Sequence, residues 1–103
     1  MNEEYLADIR RYTSDVNTDA ITTIVKYLGI ALRSRDSSLV SCSDPDELAR
    51  LRDGFCSKKL GLSANDADAA IAATCETMKG VRNKHRVTFY YLVAEASGTM
   101  GQL

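Results

Sequence analysis

Three cysteines and one histidine are the residues of this chain that could support zinc or thiol chemistry: Cys42, Cys56, Cys75 and His85. Structural zinc sites nearly always include a closely spaced pair of ligands, whereas these four residues are widely separated and form no C-x-x-C pair. We therefore predict no zinc site, and no other sequence pattern indicates a metal or cofactor. Three reduced thiols are expected, as is usual in a cytosolic chain.

A cysteine nucleophile would need a base beside it, and His85 is the only histidine in the sequence. This histidine lies outside the helices that are predicted to carry Cys56 and Cys75. Cys42 is the one cysteine predicted in a loop near the start of a helix, so thiol reactivity there would favour an enzyme.

The clustered carboxylates lie where helices are predicted to begin. Side chains at a helix start accept hydrogen bonds from the first backbone N–H groups, and negative charge is favourable at the positive end of the helix dipole. Capping therefore explains these residues without a divalent metal or acid–base catalysis, and the chain is predicted not to be an enzyme. The clusters are Glu3–Glu4, Asp44–Glu47 and Asp66–Asp68.

One block of positive charge runs from residue 79 to residue 86 and contains no acidic residue. It predicts a contact with an anion or a nucleic acid, because phosphate groups are bound by clustered lysine and arginine side chains. The alternative, which we favour, is a solvated linker whose arginines pair with acidic residues elsewhere. The candidate contacts are Lys79, Arg82, Lys84 and Arg86.

An aromatic run follows directly: Phe89, Tyr90 and Tyr91. Its composition suits a strand, but no other segment reads as a partner strand, so we predict a helix over residues 84–96. A helix that is apolar nearly all round must be covered on most sides. Either it passes through the middle of the domain, or one face meets another chain, with these three aromatic residues as candidate interface anchors.

Five helices can position these residues, and with a single proline in the chain few breaks are expected. The expected ranges are about 3–12, 18–34, 45–60, 63–80 and 84–96. At the third helix, Asp44 is predicted to cap the start, Pro45 to occupy the first position and Glu47 to complete a capping box. The predicted fold is an all-α, compact single-domain bundle over residues 1–103, with a Ser-rich connection at 35–44 and a flexible tail at 97–103.

Composition sets the class of protein. The chain has 103 residues, 45% of them hydrophobic and 26% charged, with a formal net charge of -1. This balance is that of an ordinary globular domain and argues against a dedicated nucleic-acid or anionic-membrane protein. The N-terminus is charged from its third residue, and no apolar run approaches the roughly 18 residues of a membrane span. We expect a cytoplasmic protein with no membrane partner.

Three stretches carry a resemblance to a known family: IVKYLGIALRSRDSSLV at 24–40, SDPDELARLRDGFCSKKLGL at 43–62 and RVTFYYLVAE at 86–95. The sequence resembles a small bacterial family named only as domain of unknown function 2853, over nearly the whole chain. The resemblance implies a compact, mostly helical, single-domain bacterial protein. It brings no established activity and no catalytic residues.

Two functions remain open from the sequence, with an enzyme as the third and least favoured. The first is a structural or protein-interaction domain that self-associates, because the last helix is apolar on more than one face. The second is an anion- or nucleic-acid-binding protein that uses the basic block, and its affinity would then fall steeply with salt.

Overall fold

The structure is a computed structural model that describes residues 3–33 and 38–103. Its five α-helices are α1 Glu3–Ile9, α2 Thr18–Leu28, α3 Pro45–Leu51, α4 Ala64–Thr77 and α5 Arg86–Ala96. The shorter elements are the 3-10 turns Gly29–Leu32 and Met100–Gln102, the π-helical segment Arg52–Lys59, and the strands β1 Leu39–Val40 and β2 Lys84–His85. The predicted all-α fold with five helices is confirmed.

Three helices begin at polar residues that cap them, and Asp44 is the cap that the sequence predicts. Asn17 precedes α2, Asp44 precedes α3 and Ser63 precedes α4, and each side chain accepts a hydrogen bond from a backbone N–H two or three residues along. Pro45 is the first residue of α3, where its missing N–H costs no hydrogen bond. Local hydrogen bonding therefore sets where these helices start.

The second helix ends earlier than predicted. Gly29 has φ +46°, a backbone conformation that glycine adopts without steric cost, and its N–H donates to the carbonyl of Val25. A 3-10 turn then continues to Leu32 instead of the helix expected as far as residue 34. Residues 34–37, which include the start of the predicted Ser-rich connection, lie outside the described residues.

A short strand pairing corrects the expectation that the chain forms no strands. β1 and β2 are antiparallel, with Leu39 opposite His85 and Val40 opposite Lys84. The N–H of Arg86 also donates to the carbonyl of Ser38 at 2.8 Å. Residues 84 and 85, predicted as the first turn of the last helix, therefore extend alongside β1, and α5 begins only at Arg86.

The core of the molecule surrounds α5. This helix packs against α4, α2 and α1, and every side chain from Val87 to Ala94 is buried. Neighbouring α4 presents the small buried residues Ala67 and Ala70, which allow the two helices to approach closely. An apolar helix in this position buries its aromatic side chains within one chain.

The last residues, predicted as a flexible tail, are attached to this core. The 3-10 turn Met100–Gln102 follows α5, and the side chains of Met100 and Leu103 pack against the buried cluster. Apolar contacts of this kind hold the end of the described chain against the helices.

The helices are short by the standard of membrane spans. α4 is 14 residues long, whereas about 20 apolar residues are needed to cross the hydrocarbon core of a bilayer. Within residues 3–33 and 38–103, no helix combines the length and the apolar character of a transmembrane segment.

Candidate functional site

A cleft of about 460 Å³ opens where the end of α2, α3, the π-helical segment and the start of α5 meet. We term it the aromatic cleft, because three aromatic rings line it. The side chain of Tyr27 lies 5.3 Å from that of Phe55, and Phe55 lies 4.5 Å from Tyr90, measured between ring centroids. The lining residues are Tyr27, Glu47, Arg50, Leu51, Gly54, Phe55, Arg86 and Tyr90.

The three rings lead from the core to the surface. Phe55 and Tyr90 are buried, whereas 45% of Tyr27 is exposed. Tilted ring pairs at these distances stabilise each other beyond the area they bury, by about 1 kcal/mol per pair. The cleft thus has a rigid aromatic floor and an exposed ring at its mouth.

The π-helical segment shapes one side of this cleft. In a π-helix the backbone bonds span five residues, and here the N–H of Leu60 donates to the carbonyl of Phe55 at 3.0 Å. The wider turn directs the consecutive side chains of Phe55 and Cys56 into the core. A Cβ placed on Gly54 would meet no atom within 4 Å, so this residue leaves open space at the cleft wall.

An ion pair between α3 and the start of α5 lies in the lining of the cleft. The Arg86 guanidinium donates to Glu47 Oε1 at 2.6 Å and to the carbonyl of Leu39 at 2.9 Å. The two charged side chains are only 15% and 14% exposed, so the pair is largely shielded from water. The prediction that Glu47 completes a capping box is therefore wrong, because its carboxylate binds Arg86 instead.

Arg86 also acts on the phenol at the base of the cleft. Its Nη1 lies 3.4 Å from the hydroxyl of Tyr90, within hydrogen-bond distance. Burial raises the pKa of Tyr90 above its ordinary value of 10.0, and the nearby guanidinium opposes part of that increase. Tyr90 is therefore a neutral phenol at physiological pH.

A second cleft, of about 500 Å³, lies on the other side of Glu47. We term it the basic cleft. The hydroxyls of Ser41 and Ser43 are 3.0 Å apart on one wall, and the Lys84 ammonium donates to the carbonyl of Val81 at 2.8 Å. The lining residues are Leu39, Val40, Ser41, Cys42, Ser43, Glu47, Arg82 and Lys84.

The structure separates the four basic residues that the sequence singled out. Arg82 and Lys84 line the basic cleft. Arg86 belongs to the aromatic cleft and is paired with Glu47. Lys79 is exposed just after the end of α4 and lines neither cleft. The block is therefore continuous in sequence but not a single charged surface.

The three aromatic residues of α5 lie in the core, the other position that the sequence left open. Phe89 is 0% exposed, Tyr90 7% and Tyr91 1%. The Tyr91 hydroxyl accepts a hydrogen bond from the backbone N–H of Asn17 at 2.8 Å, which ties α5 to the start of α2. The interpretation of Phe89 and Tyr91 as interface anchors is corrected, because their own chain covers them. Tyr90 is buried as well but lines the aromatic cleft.

The cysteines also differ from expectation. Cys42 and Cys75 form a disulfide, with Cα atoms 6.0 Å apart and a separation of 33 positions in sequence, so the prediction of three reduced thiols is wrong. Cys56 is a free, fully buried thiol, and burial raises its pKa from 9.0 to about 11. No spacing rule identifies the bonded pair in advance, because disulfide connectivity does not follow from sequence alone.

Two exposed apolar residues were not among the predicted site residues. Tyr27 and Ile30 are the large hydrophobic side chains that the described part of the chain leaves exposed, at 45% and 77%. A signal for them was present, since both fall outside the apolar stripe of α2, whose buried members include Ile21 and Ile24. Apolar residues off the buried stripe of a helix are expected at its surface.

In residues 3–33 and 38–103, no group of three or more histidine, cysteine, aspartate or glutamate side chains is arranged to hold a metal ion. Of the four residues considered for zinc, Cys42 and Cys75 are bonded to each other and Cys56 is enclosed in the core.

Comparison with protein families gives one match. The family described as "Protein of unknown function (DUF2853)" matches residues 4–101 of the 103, and the chain belongs to this family. The sequence matches no curated protein.

Proposed function

We propose that this protein is an interaction domain that self-associates through one surface, formed by Tyr27, Ile30 and the aromatic cleft. We term it the contact surface. The observation that supports this proposal is the exposure of Ile30, an aliphatic side chain that is 77% accessible only three residues from Tyr27 at the cleft mouth. Burying such a side chain in a partner would contribute about 2 kcal/mol.

The contact surface combines a protruding apolar side chain with a recess. A two-fold symmetric interface places the same surface on both copies, so each protrusion must find a recess on that same surface. Ile30 would supply the protrusion, and the cleft of about 460 Å³ with its aromatic floor would supply the recess. Aromatic side chains such as Tyr27 are common anchors of protein interfaces.

Charges at the cleft suit a protein partner better than a phosphate chain. Glu47 already neutralises Arg86, and the pair is largely shielded from water. Arg50 is the remaining basic residue of the lining and is exposed. A recess whose Arg86 charge is compensated by Glu47 suits a protein interface, because net charge is depleted at the centre of such interfaces.

Anion or nucleic-acid binding by the basic block is the second candidate. Arg82 and Lys84 converge on the basic cleft, which is the observation in its favour. The pairing of Arg86 with Glu47 weakens it, because one of the four proposed phosphate contacts is already compensated.

Binding is proposed rather than catalysis for a chemical reason. A nucleophilic cysteine acts as its thiolate, and burial raises the pKa of the one free thiol, Cys56, to about 11. This thiol is therefore protonated at physiological pH and enclosed by the core.

Sedimentation velocity over a wide range of protein concentration tests the self-association. We expect the wild type to form a dimer as concentration rises and Ile30→Glu to remain a monomer with unchanged circular dichroism. Ala72→Glu is the matched control, because it adds the same charge on an exposed face of α4. This control should dimerise like the wild type.

A wild type that stays monomeric at every concentration would contradict the proposal, as would a dimer that Ile30→Glu leaves intact. Fluorescence anisotropy of labelled oligonucleotides on the same samples tests the second candidate. Binding that weakens steeply with salt and is lost on replacing Arg82 and Lys84 with glutamine would favour it instead.

A further inference from the structure

The disulfide between Cys42 and Cys75 lies at the edge of the basic cleft. Cys42 is one of the lining residues of that cleft, whereas Cys75 is not. Both residues are partly exposed, in contrast to the fully buried Cys56. A thiol bound in the cleft would therefore lie beside Cys42 and not beside Cys75.

The same cleft is lined by two basic side chains, Arg82 and Lys84. Neither Arg82 nor Lys84 forms an ion pair with any described residue. Glu47 is the acid in the lining, and its carboxylate is held by Arg86. Lys84 donates one hydrogen bond to a carbonyl, but an ammonium group has three donors and keeps its charge.

The basic cleft also has hydroxyl groups in its wall and a volume typical of a small-molecule site. Ser41 and Ser43 place two hydroxyls on the wall beside Cys42, and hydroxyls can donate to carboxylate oxygens. The volume of about 500 Å³ lies within the range of roughly 300 to 1,000 Å³ that is typical of small-molecule sites.

We propose that the basic cleft binds a small thiol that carries carboxylates, such as a cysteine-containing tripeptide, and that this thiol exchanges with the Cys42–Cys75 disulfide. Arg82 and Lys84 hold the carboxylates while the thiol approaches Cys42. Glu47 is the one residue that lines both the basic cleft and the aromatic cleft. The tests replace other residues, so this proposal and the self-association can fail independently.

The exchange is balanced without any further reactant. The thiolate sulfur of the ligand attacks Sγ of Cys42, a new S–S bond forms, and the bond to Cys75 breaks. Its electron pair leaves on Sγ of Cys75, which takes a proton from water. A second thiolate then attacks the ligand sulfur of the mixed disulfide, which releases Cys42 as a thiol and leaves two ligand molecules joined as a disulfide. The protein is reduced by two electrons, and the two thiols are oxidised.

The test compares glutathione, which has two carboxylates, with uncharged 2-mercaptoethanol. The oxidised full-length protein is mixed with each thiol at equal thiolate concentration, quenched with acid and mapped by peptide mass spectrometry. We expect the first mixed disulfide at Cys42. Replacing Arg82 and Lys84 together with glutamine should slow the glutathione reaction about tenfold, as expected from the loss of two surface ion pairs, and leave the 2-mercaptoethanol reaction unchanged.

A matched double variant, Lys58→Gln with Lys59→Gln, removes the same charge from another surface and should react like the wild type with both thiols. Three results would overturn the proposal. They are a first adduct at Cys75 or Cys56, an equal effect of both double variants on the glutathione rate, and failure of the folded protein to form the Cys42–Cys75 bond under mild oxidation. Circular dichroism of each variant confirms that it is folded.

Discussion

Helix α5 and the end of α2 are both rich in large apolar side chains, but different surroundings cover them. The side chains from Val87 to Ala94 are buried, and α5 packs mainly against α4, α2 and α1. At the end of α2, Gly29 breaks the helix, and Tyr27 and Ile30 on either side of it stay exposed. One region is a finished core, and the other presents apolar area to solvent.

The two regions therefore differ in role. Helix α5 stabilises the fold, whereas we propose that the end of α2 contacts a partner. Aromatic density in the sequence is highest in α5, where it serves the fold, because a central helix needs apolar side chains in every direction. Two apolar residues at the end of α2 contribute little to that core and are available to a partner. The surface proposed for interaction is therefore small and lies away from the most aromatic stretch.

The same substitution placed in each region should have opposite effects. Phe89→Glu puts a carboxylate into a fully buried site without a partner, and we expect a loss of more than about 4 kcal/mol of stability and of the helical signal in circular dichroism. Ile30→Glu should change stability by less than about 0.5 kcal/mol, because its side chain is exposed. A folded Phe89→Glu variant would break the contrast between the regions.

Alkaline pH should weaken the core through Cys56. Its thiol pKa is 9.0 in the unfolded chain and about 11 in the folded protein. Between pH 9 and pH 11 the unfolded chain loses this proton while the folded protein keeps it, so the free energy of unfolding falls as pH rises. The expected loss is about 2 to 3 kcal/mol across that window.

Urea unfolding at a series of pH values measures this slope, the fall in the free energy of unfolding with rising pH. Cys56→Ala should flatten it, although not completely, because burial also raises the pKa of Tyr90 and adds a fall in the same direction. A slope that is identical in wild type and Cys56→Ala would place the thiol in contact with water and contradict its burial in the core.

The Glu47–Arg86 ion pair between α3 and α5 should contribute an intermediate amount to the free energy of unfolding. Glu47→Gln leaves Arg86 without its carboxylate, and we expect a loss of about 2 kcal/mol, below the roughly 3 to 5 kcal/mol of a fully buried pair because some water reaches both side chains. Asp53→Asn breaks the exposed pair with Arg52 and is the matched control, with no measurable change expected. Equal effects of the two substitutions in chemical unfolding would show that Glu47 is solvated.

The smallest expected effect concerns single hydroxyl groups. Tyr91→Phe removes the acceptor of the Asn17 N–H bond and should cost about 1 kcal/mol. Tyr27→Phe changes a half-exposed ring in the same way and should leave stability unchanged. Thermal unfolding of both variants makes the comparison, and a larger loss from Tyr27→Phe would reverse the roles assigned to the two rings.

The helices were predictable because their signals are local. Asp44 and Ser63 cap helices through bonds to residues two or three positions away, and a capping pattern is visible in the sequence. The end of α2 was placed too late, because Gly29 ends a helix only when it adopts positive φ, and its sequence neighbours continue the apolar pattern.

Features that depend on distant residues were not predictable. The pairing of Leu39–Val40 with Lys84–His85 involves strands of two residues, which are too short to show a period. The Cys42–Cys75 bond joins positions 33 apart, and the ion pair takes Glu47 from its expected cap to Arg86. Of the candidate site, the sequence placed Arg82 and Lys84 together. Its signal for Tyr27 and Ile30 was that both fall outside the apolar stripe of the predicted second helix, which indicates exposure but not a binding role.

Hydrogen–deuterium exchange at low and high protein concentration tests the contrast between the two regions most directly. We expect amides of α5 to exchange slowly and equally at both concentrations, because one chain covers that helix. Amides of residues 25–33 should exchange faster at low concentration and become protected at high concentration, as the contact surface is buried in a second copy. Protection of α5 that depends on concentration, with no change at residues 25–33, would contradict this account.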